Sequence, residues 1–101
     1  MAAIDLREVR VKRISFEAEN INSYELVLPG GGDLAPFAAG SHIDLHLQNG
    51  MVRSYSLVND QRERHRYVIA VNRDAESRGG SSCIHDRLRV GDIMPKPIRV
   101  R

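Results

Sequence analysis

Residues 42–48 alternate polar and apolar side chains without a break. A period of two is typical of a strand with one buried face, because successive side chains of a strand point to opposite sides. Asn49-Gly50 follows directly and predicts a type I′ hairpin turn, since both central positions of that turn need a positive φ. Residues 52–58 are then the returning strand. The chain is therefore constrained first of all to contain an antiparallel hairpin.

Three further segments have strand character. Residues 66–72 are rich in β-branched side chains on both faces, which predicts a central strand. Residues 9–16 change phase at Lys12-Arg13, which indicates a β-bulge within one long strand. Residues 24–28 alternate again, and the glycines and prolines of residues 29–40 predict a loop.

One short helix is expected after the strands. Ser81 and Ser82 are residue types favoured at a helix N-cap, and Ile84 and Leu88 then share one face. Gly91 is suited to close the helix. Five or six strands and one helix in 101 residues favour an all-β antiparallel barrel or sandwich, because a parallel α/β sheet needs helices between its strands.

The charge distribution argues against nucleic-acid binding. The net charge is +2, from 15 basic and 13 acidic residues. Lys96, Arg99 and Arg101 carry three of those positive charges at the C-terminal end, so the rest of the chain is close to neutral. Aromatic residues make up 5% of the sequence, which leaves little material for base stacking.

Other site and location classes are also disfavoured. The single cysteine, Cys83, excludes an intrachain disulfide and any cysteine cluster made by this chain alone. His42 and His46 lie four residues apart on a strand, too distant to share a metal easily, so no metal site is expected. No apolar run is long enough to span a bilayer, and no signal peptide is visible. We therefore expect a cytoplasmic protein without a membrane partner.

The first candidate binding element is Arg53-Ser54-Tyr55-Ser56-Leu57 on the returning strand. Alternation places Arg53, Tyr55 and Leu57 on one face and the two serines on the other. A guanidinium suits a phosphate, a tyrosine can stack on a flat heterocycle, and a hydroxyl can bond its edge. The spacing alone favours a simpler interpretation, a strand with a solvated arginine and a half-buried tyrosine.

The second candidate is Arg78-Gly79-Gly80-Ser81-Ser82 at the helix entry. Glycines allow close backbone approach, and the N–H groups of a helix N-terminus favour a phosphate. A glycine turn with a serine cap explains this segment equally well. Taken together with the first element and the small Ala70-Val71 between them, the pattern suggests a phosphorylated aromatic heterocycle as ligand.

These elements also carry a family resemblance. In chain order they are Ala39-Gly40-Ser41-His42-Ile43-Asp44-Leu45, Asn49-Gly50-Met51-Val52-Arg53-Ser54-Tyr55-Ser56-Leu57, Tyr67-Val68-Ile69-Ala70-Val71, Ser77-Arg78-Gly79-Gly80-Ser81-Ser82, His85 and Val90-Gly91-Asp92. With this order and spacing, residues 7–92 resemble the flavin-binding domain of the phthalate dioxygenase reductase and vanillate demethylase reductase group. That group lies within the ferredoxin–NADP reductase superfamily.

The resemblance implies a fold and a cofactor. The fold is a six-stranded antiparallel Greek-key barrel with one short α-helix, here over residues 1–94, followed by a divergent basic tail at residues 95–101. The cofactor is FMN rather than FAD, because the R-G-G-S element is specific to the FMN-using group.

The resemblance also implies roles for individual residues. Arg53 would contact the flavin phosphate, and Tyr55 would pack on the ring or the ribityl chain. Ser56 would lie near the flavin N5 as the catalytic residue. The remaining cofactor-binding residues are Leu57 of the same motif, Ala70 and Val71 at the ring edge, and Gly80, Ser81 and Ser82 at the phosphate. His85 matches the family and would have a packing or capping role.

The implied activity needs partners. In the family, NAD(P)H reduces the flavin, which passes electrons to a [2Fe-2S] centre that serves an aromatic-ring oxygenase or demethylase. This sequence contains neither the nicotinamide-binding nor the ferredoxin domain, so we expect it to be incomplete for turnover alone. Pro95 and Pro97 cannot donate to a sheet, so the last strand is expected to be missing, displaced or supplied in another way, with self-association as one consequence. The alternative is a cofactor-free interaction or dimerisation module derived from such a reductase.

Overall fold

A computed structural model describes residues 7–47, 49–73 and 80–101 of the chain. Within these ranges it contains five strands and one helix. In chain order these are β1 (Arg10–Ala18), β2 (Ile21–Val27), β3 (His42–His46), β4 (Val52–Ser56), β5 (Tyr67–Asn72) and α1 (Gly80–Arg87). The fold is therefore mostly β with one short helix, as the sequence pattern predicts.

The strands form two antiparallel sheets. One has the order β1-β2-β5 and the other is the β3-β4 hairpin. The expected six-stranded barrel is thus only partly confirmed, since the described residues contain five strands and no continuous sixth. The C-terminal segment, residues 93–101, instead makes single residue-pair bridges to both sheets. These bridges are Arg7–Ile98, Arg10–Ile93 and Ile43–Val100. Proline has no N–H, so Pro95 and Pro97 prevent this segment from forming a regular ladder.

The core lies between the two sheets and α1. Its buried apolar residues are Val9, Val11, Tyr24, Leu26, Leu34, Ile43, Leu45, Leu47, Leu57, Tyr67, Ile69, Val71, Cys83, Ile84, Leu88, Met94 and Ile98. The C-terminal segment contributes two of them, so it is packed into the fold. Cys83 is one of the small apolar residues of this core.

The hairpin is where the alternation places it, but its turn differs from the expectation. Only Gly50 of the Asn49-Gly50 pair has a positive φ, of 85°. Leu47 N–H donates to the Met51 carbonyl at 2.8 Å, which closes a three-residue loop. Such loops place a glycine in the left-handed region at their last position, whereas the predicted type I′ turn needs two such residues. The prediction of the turn type was wrong.

Strand β5 also differs from the expectation of a central strand with two buried faces. It lies at the edge of its sheet. Tyr67, Ile69 and Val71 are buried, Val68 is half-buried, and Ala70 is exposed. The β-branched composition did not reveal this, because such residues are favoured in half-buried strands too.

Two other local predictions have clear outcomes. The register between β1 and β2 shifts between Val11 and Arg13, so the predicted bulge is confirmed. Helix α1 begins at Gly80, which puts Ser81 and Ser82 within its first turn rather than at its N-cap. Glycine tolerates this position because the first N–H groups of a helix need no partner inside the helix.

Candidate functional site

Strand β4 presents its residues as the alternation predicts. Arg53 and Tyr55 are half-buried, while Ser54 and Ser56 are exposed. Leu57, just after the strand, is buried in the core, and its N–H donates to the Ser41 carbonyl at 3.0 Å. Leu57 therefore anchors this end of the strand and offers no side chain to a surface ligand.

Ser56 lies beside Ala70 at the junction of the two sheets. Leu57 and Ile69 form an antiparallel bridge, and this register sets Ser56 opposite Ala70. Val58 N–H donates to the Val68 carbonyl at 2.9 Å. Since strand residues point their backbone groups to alternate edges, Ala70 also turns its N–H and C=O towards β4. Two exposed small residues therefore lie next to each other at the junction of the two sheets.

Arg53 is a half-buried cation without a carboxylate partner among the described residues. Its Nη1 donates to the Val52 carbonyl at 2.9 Å, and Nη2 lies 3.9 Å from the Met51 Sδ. These contacts orient the guanidinium and leave most of its five donors unused. The arrangement suits an anion such as a phosphate.

Tyr55 is half-buried and packs against the core. Burial raises the pKa of the Tyr55 phenol, the neighbouring Arg53 charge lowers it, and Tyr24 raises it further. Tyr24 is itself buried, and burial likewise raises the pKa of its phenol. Both phenols are therefore neutral at physiological pH.

Helix α1 carries the predicted phosphate-binding segment and packs against β5. Gly80 begins the helix, Ser81 is buried within its first turn, and that turn contains no acidic residue. The backbone of Ser82 lies in the same turn. Arg78 and Gly79 fall outside the described residues. The absence of an acidic residue from the described first turn is compatible with an anion there.

His85 connects this helix to β5 and to Tyr24 on β2. Its Nε2 lies 2.8 Å from the Val71 carbonyl oxygen. Its ring packs edge-on against Tyr24, with centroids 6.3 Å apart and planes at 68°. Sequence reasoning gave His85 only a packing or capping role and did not single out Tyr24. No local signal could have identified these contacts, since they join residues far apart in the chain.

Val71 lies at the meeting point of these elements. Its side chain is buried in the core, and its carbonyl accepts the His85 hydrogen bond. Because successive residues alternate, its backbone groups point towards β2, whereas those of Ala70 point towards β4. Of the two residues expected at a ring edge, Ala70 is thus the better exposed.

Comparison with known proteins identifies homologues of this chain. The chain is 49% identical over 94 residues to phenoxybenzoate dioxygenase subunit beta of Ectopseudomonas oleovorans, which covers 93% of the chain and 28% of that protein. It is 51% identical over 87 residues to vanillate O-demethylase oxidoreductase of Acinetobacter baylyi, covering 86% of the chain and 27% of the relative. The solved structure of phthalate dioxygenase reductase superposes with a TM-score of 0.89 at 39% identity, over 95% of this chain and 30% of that one. The chain is a homologue of the phthalate dioxygenase reductases.

The phthalate dioxygenase reductase resemblance expected from the sequence is therefore confirmed, while no family model matches the chain. The chain spans less than a third of the length of the curated relatives above. A more distant structure, the cytochrome b5 reductase domain of Ulva prolifera nitrate reductase, has a TM-score of 0.68 at 17% identity and shows the shared fold alone.

Two absences hold for the described part of the chain. No helix there is long and apolar enough to cross a membrane. No group of three or more histidine, cysteine, aspartate or glutamate side chains there is arranged to hold a metal ion.

Proposed function

We propose that this chain is the FMN-binding domain of an oxidoreductase that passes electrons from NAD(P)H through flavin to the iron–sulfur centre of an aromatic-ring oxygenase or demethylase. The observation that carries the proposal is Arg53, a half-buried cation with no carboxylate partner among the described residues. It lies in the R-x-Y-S-L element, in a chain whose homologues are named as components of oxygenase and demethylase systems.

The phosphate end of the site is assigned to two elements. Arg53 on β4 would supply a charged, forked donor, and Gly80, Ser81 and Ser82 would supply the first turn of α1. These donors fit a phosphate monoester because they combine a cation that has no carboxylate partner among the described residues with the N–H groups of a helix whose described first turn has no acidic residue. The preference for FMN over FAD rests on the resemblance of the R-G-G-S element.

The ring end of the site is assigned to the junction of β4 and β5. Tyr55 would pack against the ring or the ribityl chain, and Ala70, with Val71, would border the ring edge. Ser56 would place its hydroxyl near the flavin N5 and orient the reacting atom. A bound flavin accepts a hydride and releases single electrons, and the protein controls its orientation and access.

The remaining parts of the electron path would lie in other domains. We propose a nicotinamide-binding domain or protein as the donor side and a ferredoxin-type domain with an oxygenase component as the acceptor side. The C-terminal segment, which bridges β1 and β3 at single residues, would take the place of the sixth strand of a Greek-key barrel.

A visible absorbance spectrum tests the proposal. Purified protein is mixed with FMN, desalted and measured, with FAD in a parallel sample. Retained flavin absorbance with FMN, and less with FAD, is the expected result. A colourless protein after desalting would contradict the proposal and favour the cofactor-free module, whose self-association light scattering would then measure.

A further inference from the structure

His85 forms a directed contact between two elements of the candidate site. Its Nε2 lies 2.8 Å from the Val71 carbonyl oxygen. A carbonyl oxygen can only accept, so Nε2 must carry the hydrogen. The contact therefore fixes both the position of the imidazole and the ring nitrogen that is protonated.

The imidazole is held on a second side by Tyr24. The two rings pack edge-on at 6.3 Å between centroids, and the Tyr24 side chain is 1% exposed. A buried tyrosine cannot move without disturbing the core, because protein interiors are closely packed. His85 is thus braced against the core while it donates to β5.

This contact joins the two ends of the proposed flavin site. Strand β5 carries Ala70, the proposed ring-edge residue, immediately before Val71. Helix α1 carries the proposed phosphate donors at Gly80 and Ser81, one turn before His85. Another polar contact between this helix and the end of β5 is Arg73–Asp86 at 3.2 Å. Both of those side chains are about half exposed, so that pair contributes little.

We propose that His85 is a positioning residue for the flavin phosphate. By tying α1 to β5, it sets the distance between the helix start, which meets the phosphate, and Ala70, which meets the ring. This inference rests on the proposed function and deepens it. It predicts that loss of the His85–Val71 hydrogen bond weakens the binding of ligands with a phosphate. The same loss should affect the binding of the same ring system without a phosphate much less.

The test compares FMN with riboflavin, which lacks the phosphate, using the fluorescence change on binding. His85→Phe keeps an aromatic ring and removes the donor, whereas His85→Gln returns an N–H near the position of Nε2. His65→Gln is the matched control, because His65 is exposed in a turn. We expect His85→Phe to weaken FMN binding about fivefold, the order of one hydrogen bond. We expect His85→Phe to weaken riboflavin binding less than about twofold. His85→Gln and His65→Gln should have an FMN affinity close to that of the original protein.

Amide hydrogen exchange of the flavin-free protein provides a second readout. His85→Phe should speed exchange in α1 relative to β1 and β2, and His85→Gln should restore protection. Equal losses for FMN and riboflavin, or unchanged FMN affinity in His85→Phe, would overturn the inference. If the unsubstituted protein binds no FMN, the proposed function fails by that result alone. Unchanged amide exchange in His85→Phe would show that this hydrogen bond does not hold α1 to β5. That outcome would overturn the inference whatever the flavin titrations show.

Discussion

Glu25 is a carboxylate on a strand whose neighbours are buried, and its side chain is 9% exposed. Arg66 Nη1 lies 2.5 Å from its Oε1, and Arg66 also pairs with Glu63 at 2.9 Å. Hydrogen bonding to Glu25 raises the pKa of the Arg66 guanidinium, so the cation persists at all working pH values. Arg66 therefore balances the negative charge of Glu25, which is buried on β2.

The first prediction follows from that ion pair. Arg66→Met should destabilise the protein by about 3–5 kcal/mol, because it leaves the Glu25 carboxylate buried without a partner. Urea unfolding measures the change. Arg62→Met is the matched control, since the Arg62–Asp60 pair is exposed and its loss should change the stability little. A loss of stability in Arg66→Met as small as that in Arg62→Met would show that Glu25 is better solvated than its burial indicates.

The second prediction concerns Arg53. Arg53→Ala should weaken FMN binding at least about tenfold, because a charge-assisted hydrogen bond contributes about 1.5–3 kcal/mol. Riboflavin binding should change much less, and fluorescence titration measures both. Unfolding stability should stay nearly unchanged, since the guanidinium makes one hydrogen bond to a main-chain carbonyl, at 2.9 Å. An equal loss for riboflavin would place Arg53 away from the phosphate.

At the residue scale, alternation was sufficient to predict which faces Arg53, Tyr55 and Ser56 occupy. It could not predict the contacts of His85 or Arg66. The acceptor of His85 lies 14 residues away, and the Arg66–Glu25 pair spans 41 residues. Such pairs depend on strand order and helix placement, which no local pattern contains.

The hairpin between β3 and β4 illustrates the element scale. Asn49-Gly50 correctly predicted a hairpin, but the loop length and the turn type depend on where pairing stops. Leu47 and Met51 still bond to each other, so a three-residue loop forms and only Gly50 has a positive φ. The composition of a turn therefore predicts its presence better than its geometry.

The third prediction is that Gly50→Ala lowers stability by about 1–2 kcal/mol, the cost of a left-handed conformation for a residue with a Cβ. No heavy atom lies within 4 Å of the added Cβ, so the cost is conformational rather than steric. Thermal unfolding measures it. Gly30→Ala is the control, because its added Cβ is equally free and its φ is outside the left-handed region. That control should be neutral or slightly stabilising. A neutral Gly50→Ala would show that the loop can adopt another turn.

At the scale of the whole molecule, the C-terminal segment connects the two sheets. Ile98 exchanges hydrogen bonds with Arg7 next to β1, and Arg101 does so with His42 on β3. The sequence predicted an all-β fold with one helix, because periodicity and turn residues are local properties. Closure of the sheets depends on how a proline-containing segment docks. The prediction that the last strand would be missing, displaced or supplied in another way captured the loss of regularity but not the bridges that replace the strand.

The fourth prediction uses Asp44, which joins this segment to β3. The Ser54 hydroxyl donates to its carboxylate, and Arg101 Nη2 lies 3.1 Å from its Oδ2. The Ser54 hydrogen bond lowers the pKa of Asp44, and the charges of Arg101, His42 and His46 lower it further. A carboxyl whose pKa is depressed by folding contributes stability above its unfolded pKa, about 3.9, and loses it as pH falls through the folded pKa. The contribution should therefore be present at pH 6, begin to fall near pH 4 and be lost as the pH drops through the lower pKa of the folded protein.

Urea midpoints of the original protein and of Asp44→Asn, measured from pH 6 to pH 2, test this dependence. The variant should be less stable at pH 6, and the two curves should converge as the pH falls below about 4, where the original carboxyl becomes neutral too. Asp33→Asn is the control, since Asp33 is exposed in the loop before β3 and has no polar partner among the described residues. Asp44→Asn should also speed amide exchange at Arg101 and at its backbone partner His42. A constant difference in stability across the pH range would contradict this prediction. It would assign the lost stability to the altered Ser54 hydrogen bond, because in Asp44→Asn an amide replaces the acceptor at every pH. The charge of Arg101 would then not hold the sheets together.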